Sequence, residues 1–173
     1  FFPDSNTPLY FVHYKLPQGA SIHQTSADLT VLEDWLAERA AVEQVTAFTG
    51  QGGSRFMLTY EAEKPNPSYG HLIVRVSALE EIEAEMQALE AFGTDALPQG
   101  EFRVQRLAFG PGGSAPIEVR FSGRDPDVLR DLADAAMAKM QAASDNVIDL
   151  RHDWRERELV LRPIYADDRA QDA

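Results

Sequence analysis

Residues 8–36 read PLYFVHYKLPQGASIHQTSADLTVLEDWL, a strand, a tight turn and a helix in close succession. In 9–16 side chains alternate between faces, with Leu9, Phe11 and His13 on one and Tyr10, Val12 and Tyr14 on the other. Both faces carry aromatic groups, which predicts a strand covered on both sides. Pro17 and Gly19 end the ladder. Ser21 with Gln24 three residues on has the form of a capping box. Ile22, Leu29, Leu32 and Leu36, with Trp35 beside them, then make an apolar stripe of helical period. About a hundred residues later the plan recurs: Pro116 to Phe121 as strand, Ser122-Gly123 as turn, Asp125 onward as helix.

Between these copies the chain supplies more of both kinds of element. Residues 42–49 read as the second strand, and Thr49-Gly50-Gln51-Gly52-Gly53-Ser54 is a glycine-rich break after it. Residues 55–61 read as extended, with Phe56, Leu58 and Tyr60 on one face, and 71–76 as a further strand. Ser77 with Glu80 suggests a second capping box. The helix after it directs Leu79, Ile82, Met86 and Leu89 inward and is expected to stop at Gly93. Phe102, Val104 and Arg106 mark another strand, and Gly110 to Ser114 is a linker. Beyond it Asp125 is a candidate N-cap with Pro126 at the first helical position. Val128, Leu129, Leu132, Ala136 and Met140 form the stripe expected to be buried, and 147–150 and 159–164 are expected strands.

The pattern predicts an α+β protein of two ferredoxin-like (split βαβ) subdomains, the second incomplete. The first spans 1–109, the linker 110–115 and the partial second unit, β-α-β-β, 116–173. A half module leaves its sheet unfinished, and the opening Phe1-Phe2-Pro3 lacks Met, so the sequence reads as a piece of a longer protein.

Composition narrows function. With 173 residues, 44% apolar and 25% charged, the chain is ordinary globular material. A net charge of −12 argues against a nucleic-acid partner, which needs clustered Lys and Arg. There is no cysteine, so thiol redox and thiolate metal sites are excluded. The four histidines, His13, His23, His71 and His152, show no metal-ligand spacing and read as polar or half-buried. His152-Asp153 would point to opposite faces of a strand. Ser54 and Ser114 lack the GxSxG context, and the Gly50–Gly53 loop lacks the lysine of a phosphate loop. No enzyme activity, cofactor or metal is expected. Thr46, Phe48, Gln51, Arg55, Phe56 and Met57 flank a glycine-rich loop, a common lining for an adaptable apolar pocket, although the phenylalanines fit a plain core equally.

With these motifs in place, the chain resembles a periplasmic porter segment of the resistance-nodulation-division (RND) efflux transporters, of the acriflavin-resistance AcrB/AcrD/AcrF type. Phe1-Phe2-Pro3-Asp4 resembles the family's exit from a transmembrane helix, and Leu16-Pro17-Gln18-Gly19-Ala20-Ser21 its turn before a porter helix. Val42-Glu43-Gln44-Val45 before a Gly-rich loop resembles the strand leading to its switch loop. Val147-Ile148-Asp149-Leu150-Arg151 resembles the run into its docking-domain insertion. The opening is similar to the second periplasmic half, after the seventh transmembrane helix.

The resemblance implies the periplasmic part of a Gram-negative inner-membrane, proton-driven multidrug exporter. It implies a homotrimer working with a periplasmic adaptor and an outer-membrane channel on small amphiphilic substrates. Thr46, Phe48 and Leu72 would face the substrate pocket, with Gln51, Arg55 and Phe56 beside them. Gly50, Gly52 and Gly53 would lie in the switch loop, and Arg151 and Asp153 on the far side of the cleft. The loop departs from the familiar drug pumps in lacking their aromatic pair. A different class of reading is a soluble ligand-sensing or assembly module of the same fold, associating through open sheet edges.

Overall fold

A computed structural model describes residues 5–55, 60, 62–107, 117–144, 146, 147, 150–154, 156, 157 and 159–163. The first unit is built from β1 (Leu9–Lys15), α1 (Ile22–Ala37), β2 (Val42–Thr49), β3 (Tyr69–Val76), α2 (Ile82–Ala96) and β4 (Glu101–Arg106). The four strands form one antiparallel sheet in the order β2-β3-β1-β4. Two βαβ halves are thus interleaved, which is the split βαβ plan.

Pleating divides the sheet into two faces. Tyr10, Val12 and Tyr14 of β1, Leu72, Val74 and Val76 of β3, Val45 and Ala47 of β2, and Phe102 and Val104 of β4 face the helices. There they meet Leu29, Leu32 and Leu36 of α1 and Ile82 and Leu89 of α2, all buried. The core also holds polar groups that are satisfied locally. Tyr14 donates to Asp28 (2.6 Å), which also accepts from Gln24 (2.7 Å). Burial, then the bond to Asp28, pushes the Tyr14 hydroxyl well above the usual phenol range. Glu85, also buried, accepts two bonds from Arg39 at 2.9 Å each, and the Arg39 guanidinium lies 4.8 Å from the Trp35 ring centroid.

Local signals fare unevenly. Ser21 does cap α1, but it accepts from His23 N (3.2 Å), and the Gln24 side chain turns to Asp28 instead of closing a capping box. Ile22 stays 44% exposed at the helix mouth. The Ser77/Glu80 box is absent: the chain enters α2 through a 3-10 turn, Leu79–Glu81, whose i→i−3 bond from Glu81 N to Ala78 O replaces a side-chain cap. Gly93 does not stop α2, which runs three residues further. A Cβ at Gly93 would lie 2.8 Å from the Phe102 ring, so this glycine lets helix and strand approach. Of the extended run expected over 55–61, only Arg55 and Tyr60 are described, and neither is in a strand.

The second unit differs most from expectation. Its helix, α3 (Pro126–Ala143), forms as read, with Asp125 accepting from Asp127 N (2.9 Å) and Val128 N (3.3 Å) and proline in the first turn. None of its residues is buried, and Val128 and Leu132 are about half exposed. The expected strands around it are not formed among the described residues, where Ile117, Val119, Leu159, Val160 and Leu161 stand exposed. A strand needs neighbouring backbone to pair with, whereas a capped helix satisfies its own amides. The linker 110–115 lies outside the described residues. Among the described residues no helix is long and apolar enough to cross a membrane.

This asymmetry sets a stability contrast. Leu32→Ala should cost about 2–5 kcal/mol in urea-induced unfolding of the sheet unit. Leu132→Ala on α3 should cost less than about 1 kcal/mol. Equal losses would mean that α3 belongs to a packed core.

Candidate functional site

The sheet face away from the helices presents Phe11, His13 and Lys15 of β1, Tyr69, His71 and Ile73 of β3, Thr46 and Phe48 of β2, and Glu101, Arg103 and Gln105 of β4. Strand register aligns four of these in one cross-strand row: Phe48 opposite His71, His71 opposite His13, His13 opposite Arg103. Such rows bring side chains into contact. The His13 and His71 rings stack at 4.9 Å, and Phe48 stacks on His71 at 5.9 Å.

Two covers close over this row. The first is the connection between β2 and β3. Gly50, at φ +78°, reverses the chain, donates to Tyr69 O (2.7 Å) and accepts from Asn66 N (2.8 Å). Gly52 and Gly53 are buried against the sheet, and Gly53 N donates to His71 Nδ1 at 3.3 Å. Tyr60 stacks on His71 (5.8 Å) and tilts against Phe11 (5.7 Å), while Glu63 approaches Lys15 at 3.6 Å. The second cover is the segment after α3. His152 faces Asp134 at 3.8 Å, and the Arg130 guanidinium lies 5.8 Å from the Trp154 ring centroid. From this segment Arg151 reaches the first unit, where it closes a cleft of about 30 Å³ with His13, Lys15, Glu101, Phe102 and Arg103. Glu156 accepts from Gln18 N at 3.2 Å. A larger hollow on α2, lined by Gln87, Glu90, Ala91, Thr94 and Asp95, involves one helix face and no converging groups.

The two histidines are therefore buried rather than half-buried, and neutral. With Gln105 donating to His13 Nε2 (3.0 Å), the ring proton sits on Nδ1 and is donated to the Tyr69 hydroxyl (2.6 Å). His71 Nδ1 accepts from Gly53, which leaves its proton on Nε2, a buried atom with no partner among the described residues. Burial, then the positive charge of Arg103, lowers the His71 pKa to about 4. Burial first, and then Arg103, His71, Lys15 and Arg151, lower that of His13 to about 2.

The structure distributes the sequence-derived residues unevenly. Thr46 and Phe48 lie on the outer face, Phe48 in the row itself. Leu72 does not: it has the opposite parity and is fully buried in the helix-side core. Gly50, Gly52 and Gly53 lie in the first cover; Gly52 fits a close approach, since a Cβ there would meet Glu63 N at 2.9 Å. Gln51 and Arg55 are exposed on that cover, and Phe56 lies outside the described residues. Arg151 lines the cleft, whereas Asp153 is exposed. His13, Lys15, Glu101, Arg103 and Tyr69 were not singled out from sequence. The outward parity of Phe11 and His13 carried that signal, once β4 was placed beside β1. Among the described residues no group of three or more His, Asp or Glu could hold a metal ion.

The burial of two neutral histidines fixes a pH dependence. Their folded pKa values lie below the ordinary 6.5, so the unfolded chain binds more protons between pH 6.5 and 4 and stability falls as the pH drops through that range. Each histidine contributes about 1.4 kcal/mol per pH unit there. Urea titrations of His71→Gln between pH 6 and 4.5 should show a slope shallower by that amount; an unchanged slope would place His71 in solvent.

No family model matches the chain, and no curated protein matches it in sequence. Among solved structures, a heavy metal efflux pump superposes with a TM-score of 0.58 at 16% identity, covering 82% of this chain and 15% of the pump chain. A second crystal form of a heavy metal efflux pump gives 0.52 at 14% identity, over 86% of this chain and 16% of that one. The chain spans less than a fifth of those pumps, and at this identity what it shares with a slice of them is the fold.

Proposed function

We propose that this chain is a porter segment of a larger efflux pump, handling substrate in the periplasm instead of catalysing a reaction. Its parent is read as a proton-driven RND transporter of a Gram-negative inner membrane, homotrimeric and joined to an adaptor and an outer-membrane channel. The observation that carries the reading is the covered outer face of a split βαβ sheet. On one side lies a glycine-containing connection anchored by Gly53 N to His71, on the other a second unit that leaves a cleft at Arg151. A slice of a heavy metal efflux pump with the same fold supports it.

In this reading the substrate enters between the first unit and the second, and its binding biases a hinge or shear motion of the covers. Phe48 supplies an apolar wall beside the connection, its ring 3.2 Å from where a Gly53 Cβ would stand. Small amphiphilic compounds fit a site with an aromatic row at one end and charged groups at the other. Metal cations fit the cleft poorly, because Lys15, Arg103 and Arg151 all line it.

A second reading, an assembly module, rests on the sheet order: β2 and β4 are its edges, and no further strand pairs with them among the described residues. The two separate on the encoding gene, which in the porter reading continues into long apolar spans. Within the intact pump, Phe48→Ala should change susceptibility to some exported compounds and not others. Unchanged export of every compound tested would remove the pocket from this face.

A further inference from the structure

We propose that His71 is a proton-operated latch: protonation of its ring releases the Gly52–Gly53 turn from the sheet and opens the aromatic end of the outer face. Its use in transport rests on the porter reading, but the latch itself is argued from geometry. His71 is fully buried. Its Nδ1 accepts from Gly53 N at 3.3 Å, and its Nε2, also buried, has no hydrogen-bond partner among the described residues. A Cβ at Gly53 would stand 3.2 Å from the Phe48 ring and 3.7 Å from Ile73 Cδ1, so the turn lies directly on the outer face beside His71.

This arrangement accommodates only the neutral ring. An imidazole has one donor and one acceptor nitrogen, whereas an imidazolium has two donors. Once protonated, Nδ1 would turn a proton toward the Gly53 N–H, and the Nε2 proton would still be unmet. The rings of Phe11, His13, Phe48, Tyr60 and Tyr69 surround His71 at 4.9–6.4 Å between centroids. The titratable groups among them are His13 from β1, Tyr69 on β3 and Tyr60 from the connection, and Arg103 on β4 opposes a positive charge on His71. The carboxylates of this face, Glu63 and Glu101, lie by Lys15. His13 does not take the proton first. Burial, then Arg103, His71, Lys15 and Arg151, keep it neutral down to about pH 2, and both its nitrogens are bonded, to Tyr69 and Gln105. The Gly53 N–H also faces the Tyr60 hydroxyl, so the amide keeps an acceptor when His71 lets go. The charged ring gains one from water, which reaches it when the turn moves. The backbone bonds of Gly50 to Tyr69 and Asn66 do not involve the ring, so release is local to Gly52 and Gly53. With His71 titrating at about 4 in place and near its ordinary 6.5 when released, linkage favours release roughly 20-fold more at pH 5 than at pH 7.

Native-state amide hydrogen exchange on the 173-residue chain tests the latch. Corrected for intrinsic exchange, protection at Gly53 should fall roughly 20-fold from pH 7 to pH 5 and stay below that of Val74 in the sheet. His71→Gln keeps an acceptor but does not titrate, and should abolish the pH dependence at Gly53. Tyr60→Phe should retain it. Amide dispersion like that of the unsubstituted chain establishes that each variant is folded. In the unsubstituted chain, ring nitrogen chemical shifts should place the His71 proton on Nε2 at pH 7. A proton on Nδ1, Gly53 protection equal to that of Val74 at both pH values, or a pH dependence that survives H71Q overturns the latch. If release at Gly53 follows His71 while Phe48→Ala leaves export of every compound unchanged, the latch stands and the porter reading falls. If Phe48→Ala alters export while Gly53 protection does not change with pH, the porter reading stands and the latch falls.

Discussion

The structure depends on one constraint: β1 is buried on both faces. As a central strand flanked by β3 and β4, it turns Tyr10, Val12 and Tyr14 to the helices and Phe11 and His13 the other way. The helices satisfy only the first set. Phe11 and His13 need a second cover, and among the described residues no third layer of regular structure is packed there to supply it. Irregular chain does so instead, and buried irregular chain must find partners for its own amides. Gly50 N finds Tyr69 O, and Gly53 N finds an imidazole nitrogen of His71. The histidines are thus part of the seam between sheet and cover.

That seam explains what was legible in the sequence. The alternation in 9–15, the stripe of α1 and the strand run that ends at the Gly50 break are local signals, and all three elements lie where those signals place them. Which residues meet across the outer face depends on strand order and register, which are not local. His13 and His71 are 58 positions apart and touch because β1 and β3 pair. Leu72 was misplaced for a related reason: adjacent strand residues have opposite parity, so the outward face of His71 is denied to its neighbour. Gly93 and the capping boxes failed differently. A glycine signal cannot distinguish a helix stop from a close approach, and the Phe102 ring decides it. A cap motif competes with other partners for the same side chain, as Gln24 does with Asp28.

The second unit shows what a pattern can do without a surface to fold on. Its helix has an Asp125 cap, a proline at the start and a 157–127 Arg–Asp ion pair beside it. Those features act within a few residues or on an exposed surface, and along the helix Leu129, Ala133, Ala136 and Met140 are half-buried while none is fully buried. The alternating run of 117–121 and the apolar run of 159–161 carry the composition of strands, yet their apolar side chains stand in solvent. β propensity mainly expresses fit to a pleated, half-buried surface, and among the described residues these runs meet none.

The row Phe48, His71, His13, Arg103 has an aromatic end under the Gly50–Gly53 connection and a cationic end under Arg151. Its members are held by hydrogen-bonded strands, and the stacked rings between them leave little room for independent rearrangement. Among the described residues the first cover is held by backbone bonds at Gly50 and Gly52, a bond from Gly53 N to His71, the Lys15–Glu63 pair, the bond from Thr25 to Pro67 O and ring contacts from Tyr60, and the second reaches the first unit through Arg151 and Glu156. Strand pairing therefore sets the spacing of both ends of this face, and the irregular segments that cover it are placed by their bonds to that frame.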